Sequence, residues 1–156
     1  MIKYGIIGCG NIGSKRIEAI AKDKDSKLEF VIGPKSQKFN YNYLGKKVAK
    51  KYKCIYSEDI NLLLKSDVKA IILSTGPTLF KKIGGQILNS GKHLLIEKPL
   101  GKNYSDAKYL TNLANKKRLV LKTGFNLRFD DAINEAKKYI QKKKNWKNIF
   151  YEMCLC

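Results

Sequence analysis

The chain opens on a short apolar run, Ile2 to Ile7, which stops at Gly8-Cys9-Gly10-Asn11-Ile12-Gly13 and gives way to a helical pattern with Ile17, Ile20 and Ala21 on one face. A GxGxxG that closes a strand and opens a helix leaves few architectures available, because each glycine answers a separate steric demand. Gly8 permits the tight turn. Gly10 lets a pyrophosphate reach the backbone, where a Cβ would obstruct it. Gly13 allows the helix to pack closely on the strand. The first amides of the helix, at Asn11, Ile12 and Gly13, then face the phosphates with the positive end of the helix dipole. Gly8, Gly10, Asn11, Ile12 and Gly13 are therefore the first candidate ligand-binding residues.

The rest of the pattern supports that start. Strand signals at 28–32, 54–56, 68–75, 93–97 and 119–123 alternate with helix signals near 45–52, 58–65, 78–89, 104–117 and 130–143. Strands and helices alternating at this length imply βαβ units, so the fold class is α/β with a doubly wound, mostly parallel sheet. Residues 1–124 read as a dinucleotide-binding Rossmann domain. Residues 125–156 read as a helix followed by a strand at 148–155, where Ile149, Tyr151, Met153 and Leu155 alternate. That strand has no partner left in the sequence, and an apolar strand edge needs covering. The expectation is that 125–156 starts an incomplete C-terminal α/β domain.

The charge is unusual: 32 Lys and Arg against 13 Asp and Glu, a formal +19. Nucleic acid or an anionic surface is the first thought. Only Arg16, Arg118 and Arg128 are arginine, however, and readers of phosphates and bases favour the planar arginine fork. Plentiful Asn and Ile alongside the Lys suggest a coding bias instead. Tyr41, Tyr43, Tyr52 and Phe39 interleave with lysines over 35–53 and could stack bases, but read more simply as a solvated loop and helix. Nucleic acid is thus not the partner expected. No apolar run is long enough to span a membrane, and the opening is not that of a signal peptide. Cys9, Cys54, Cys154 and Cys156 form no CxxC pair, and the lone His93 cannot complete a zinc set, so no metal is expected and the thiols read as reduced, in a cytoplasmic protein.

Two further positions bear on a nicotinamide dinucleotide. About 20 residues past the glycine loop, an acid would bind the ribose 2′-hydroxyl and select NAD. Here stand Gly33-Pro34-Lys35-Ser36. With no acid, and with Lys35 and Ser36 following, NADP is favoured over NAD. Glu97-Lys98-Pro99 closes a strand at the sheet edge where such folds bind ligands. A lysine held there could polarise, or give a proton to, a substrate oxygen. Pro99 fixes the backbone and is a candidate for a cis bond.

Taken together, the glycine loop, Ser74-Thr75 with Pro77, Gly91-Lys92-His93, Glu97-Lys98-Pro99-Leu100, and Gly124-Phe125-Asn126 with Arg128-Phe129 resemble the Gfo/Idh/MocA family of oxidoreductases in order and spacing. The resemblance implies a Rossmann domain followed by an α/β domain on a large open sheet. It also implies nicotinamide-dependent oxidation or reduction of a sugar, polyol or related carbonyl. Lys98 then matches the family lysine between nicotinamide and substrate. Thr75 and Pro77, after the strand that ends at Ser74, would line the nicotinamide side, and Glu97 would contact the cofactor. Asn126 and Arg128 would lie near the active-site mouth.

The sequence also departs from the family pattern. Phe80 stands where many members have His, Gly33 where many have an acid, and Leu127 and Asp130-Asp131 where many have His and Pro. Family members are much longer, and the catalytic His and most substrate contacts come from their second domain. The chain is therefore expected to be mainly the cofactor half of a truncated enzyme, with a small sugar-like substrate. A homo-oligomer is expected only with a full second domain. The alternative is a nucleotide-binding or interaction module without catalysis.

Overall fold

The computed structural model describes residues 1–34 and 41–142. Lys35, Ser36 and the strand expected at 148–155 lie outside them. The chain divides into two compact units, Met1–Gly124 and Phe125–Cys156.

The first unit is a six-stranded, all-parallel sheet: β1 (Ile2–Ile7), β2 (Ser26–Ile32), β3 (Ile55–Ser57), β4 (Ala70–Leu73), β5 (His93–Ile96) and β6 (Leu121–Thr123). The strand order is β3-β2-β1-β4-β5-β6. Between them run α1 (Asn11–Lys22), α2 (Tyr41–Tyr52), α3 (Ile60–Lys65), α4 (Phe80–Asn89) and α5 (Tyr104–Lys116). The expected α/β class and doubly wound sheet are thus present. The chain winds outward from β1 to β3, then returns to lay β4 on the other side of β1. That reversal opens a crevice beyond the carboxyl ends of β1 and β4.

Both faces of the sheet are buried along β4, which is why Ala70 to Leu73 reads as a continuous apolar run. Successive residues serve opposite faces. Ile6 and Ile72 pack with Ile17 and Ile20 of α1, while Ile7, Ile71 and Leu73 pack with Phe80 and Ile87 of α4. A register shift opposite Tyr4 and Gly5 leaves Glu29 without a partner in β1. This puts Leu28 and Val31, three residues apart, on the same side.

Three expectations are corrected. Ala21 is exposed, because α1 buries the stripe Gly13, Ile17 and Ile20 and the next residue turns about 100° away. The strand expected at 68–75 is only Ala70–Leu73, the span that pairs with both β1 and β5. The helix expected from 78 begins instead as a tight turn over Pro77–Leu79, and α4 proper starts at Phe80. Gly91 ends α4 at φ +77, as expected of a C′ glycine. His93 accepts a hydrogen bond from the Val120 amide at 3.0 Å, a contact that ties the start of β5 to the residue before β6.

The second unit contains a short turn, Asn126–Phe129, and α6 (Asp131–Lys142). The Asp130 carboxylate accepts from the Ile133 amide at 3.2 Å and so caps that helix.

Candidate functional site at the switch between β1 and β4

A cavity of about 500 Å³ lies at the crevice. Its floor is Ile7, Gly8, Cys9 and Gly10 from the end of β1, with Ser74, Thr75 and Gly76 from the end of β4. Gly33 and Pro34 close one side and Leu79, Ile83 and Gln86 the other. Leu79 and Ile83 begin a spacing of four that reads as a core face. Here the stripe divides, since Ile87 is fully buried while Leu79 is 44% exposed to the cavity side.

The glycines are held as their positions require. Gly8 has φ +94, and a Cβ on it would come within 2.8 Å of the Ser74 carbonyl oxygen. A Cβ on Gly13 would overlap the Gly8 carbonyl oxygen. Gly10 differs from both, because a Cβ there would meet nothing within 4 Å. Among the described residues, the space in front of Gly10 is open.

The helix behind the loop ends in the same openness. Gly10 is the N-cap of α1, no side chain caps the helix, and its first turn holds no acid. The first-turn amides of an α-helix have no partner within the helix. Beside them, among the described residues, Thr75 Oγ1 is buried with no hydrogen-bond partner. The Ser74 hydroxyl donates to the Gly8 carbonyl at 2.7 Å and so braces the loop. Burial raises the Cys9 thiol to about 11, with nearby Cys54 adding to the effect, so Cys9 packs as a small apolar group. Open space at Gly10, orphan amides and an orphan hydroxyl together fit a phosphate-bearing dinucleotide.

Glu97, Lys98 and Pro99 follow β5 along the same edge, and the Lys98–Pro99 bond is cis. Lys98 is exposed and Glu97 is buried. Arg16 of α1 reaches Glu97, its Nε at 2.8 Å and its Nη2 at 2.7 Å from Oε1. Gly124 lies against the same carboxylate, where any Cβ would overlap it. The glycine-loop helix is thus tied to the Glu-Lys-Pro segment by a largely buried ion pair.

The structure brings Gly8, Gly10, Ser74 and Thr75 to one cavity, with Asn11, Ile12 and Gly13 in the first turn beside it. Pro77 starts the turn that carries Leu79. Glu97 and Lys98 are not among the cavity-lining residues. Asn126 and Arg128 belong to the second unit. Two residues were missed from sequence. Arg16 had a signal, as one of three arginines in a chain that otherwise uses lysine. Glu58, which lines the cavity beside Gly33, had none, because it follows β3 rather than β2.

Comparisons with known proteins agree with this geometry. A family model described as "Oxidoreductase family, NAD-binding Rossmann fold" matches residues 2–125. An uncharacterized oxidoreductase of Schizosaccharomyces pombe is 37% identical over 87 residues, which are 56% of this chain and 24% of that protein. The scyllo-inositol 2-dehydrogenase (NADP(+)) of Bacillus subtilis is 26% identical over 143 residues, covering 91% of this chain and 42% of its own. The crystal structure of GenD2 from gentamicin A biosynthesis, in complex with NAD, superposes with a TM-score of 0.81 at 21% identity, over 88% of this chain and 38% of that one. The chain therefore spans less than half the length of these relatives. With its strand order, glycine loop and Glu-Lys-Pro edge, this chain belongs to the Gfo/Idh/MocA family of oxidoreductases and carries that family's NAD(P)-binding Rossmann domain.

Proposed function

We propose that the chain holds a nicotinamide dinucleotide across the β1–β4 crevice and serves as the cofactor half of an oxidoreductase acting on a sugar, polyol or related carbonyl. The observation that carries this reading is the uncapped first turn of α1, which faces open space at Gly10. Gly8, Gly10 and the amides of Asn11, Ile12 and Gly13 would hold the pyrophosphate. Thr75 Oγ1 is a buried donor in want of an acceptor, and Ser74 fixes the loop. When bound, the nicotinamide supplies or accepts the hydride.

Lys98 would hold a proton at the substrate oxygen, and Glu97 would anchor it through the ion pair with Arg16. Pro77 would border the nicotinamide side, and Asn126 and Arg128 would lie toward the substrate. On the adenosine side, the glycine at 33 with Lys35 and Ser36 after it supports NADP(H). The substrate is a small molecule, and the site is cytoplasmic, in keeping with the free thiols of Cys9 and Cys54.

Titration of the chain with NADPH and NADH, followed by nicotinamide fluorescence, tests the reading. Saturable binding of at least one is expected. No binding of either would contradict it.

A further inference from the structure

The glycine at position 33 is held in place by a neighbour. A Cβ at Gly33 would lie 2.5 Å from the Tyr56 hydroxyl oxygen and 2.9 Å from Tyr56 Cε2. Tyr56 also packs against α2, where a Cβ on Gly45 would lie 2.6 Å from the same Cε2. The Lys46 ammonium sits 5.8 Å from the ring centroid. With the ring packed in this way, any side chain at 33 would require Tyr56 to shift.

The ring also delivers a carboxylate to the same place. The Tyr56 hydroxyl donates to Glu58 Oε1 at 3.3 Å. Glu58 is half-buried and lines the cavity together with Gly33 and Pro34. The Tyr56 hydroxyl thus touches both the Glu58 carboxylate and the space that a Cβ at position 33 would take. Burial, and then the charge of Glu58, push the Tyr56 hydroxyl up to about 12, so it remains a donor at neutral pH.

An ionised carboxylate only accepts hydrogen bonds. A ribose with both hydroxyls free can donate to it. A 2′-phosphate is anionic and cannot, so the two would repel. Resting on the dinucleotide reading above, we infer that Glu58 reads the adenosine ribose in place of an acid at position 33, and so favours admission of NAD(H).

The test is the ratio of NADPH to NADH dissociation constants, measured by nicotinamide fluorescence on the full chain and on Glu58→Gln and Tyr56→Phe. Glu58→Gln keeps shape and loses charge. It is expected to shift the ratio toward NADPH by about tenfold, with weaker NADH binding. Tyr56→Phe keeps the carboxylate but removes this one hydrogen bond to it, and is expected to shift the ratio the same way by less. Displacement by 2′,5′-ADP and 5′-AMP should follow the same order, since both lack the nicotinamide. Both cofactors binding with a Glu58→Gln ratio within about twofold of the parent would overturn this inference alone. No binding of either cofactor to the parent chain would overturn the dinucleotide reading, and this inference with it.

Discussion

Two helix starts in the first unit have opposite designs. At α5, the Asn103 side chain accepts from the Asp106 amide at 3.0 Å, Ser105 donates to the same Asn103 oxygen, and Asp106 adds an acid in the first turn. Its orphan amides and its dipole are answered from within the chain. At α1, the cap is glycine, no side chain accepts from the first turn, and no acid stands there. The two helices are of similar length and both pack on the sheet. Length and burial therefore do not explain the difference. The α5 start serves the fold alone, whereas the α1 start leaves its hydrogen bonds for something that arrives from outside, at some cost to the empty protein.

Exchanging the two designs should expose this. Gly10→Asp gives α1 the cap it lacks, and the backbone at Gly10 (φ −64, ψ −170) accepts any residue. Dinucleotide affinity is expected to fall by about a hundredfold or more, because the new carboxylate occupies the phosphate position. The same variant is expected to hold or raise stability against urea, by up to about 1 kcal/mol. Lost stability would mean that the space in front of Gly10 is needed by the fold.

A second comparison lies beneath the open end. Cys9 is buried under the loop, and its thiol is raised from 9.0 to about 11. The sign follows from linkage: the unfolded thiol ionises first, so its contribution to stability is whole below pH 9 and is lost as pH rises from 9 toward 11. Melts at pH 8 and pH 10.5 should show a fall of which Cys9→Ala removes about 1–2 kcal/mol. An unchanged fall would mean that the loop is solvated underneath as well as open above.

The smallest effect belongs to the capped helix. Asn103→Ala is expected to cost about 1 kcal/mol in denaturant unfolding and to leave dinucleotide affinity unchanged. A loss of affinity as well would show that the two helix starts do not serve separate ends.

The glycine loop, the alternating elements and the Glu-Lys-Pro edge are legible in the sequence because each is local. A strand, a turn and a helix start can be read within a dozen residues. The Arg16–Glu97 pair is not legible, since 81 positions separate its members and only the sheet brings them together. Glu58 is hidden for a related reason. The rule for the ribose looks at the end of β2, and the structure supplies the nearby carboxylate from the end of β3 through Tyr56. β4 is shorter than the apolar run at 68–75 because Val68 is buried without pairing, so apolar character extends beyond the ladder.

The central claim is that the first turn of α1 is kept open for a dinucleotide pyrophosphate. The most direct measurement is the amide spectrum of the isotope-labelled chain during titration with NADPH. The account predicts that the largest shifts fall on Gly10 to Gly13, while the amides of Tyr104 to Asp106 stay where they are. Saturable binding that leaves Gly10 to Gly13 unmoved would contradict it.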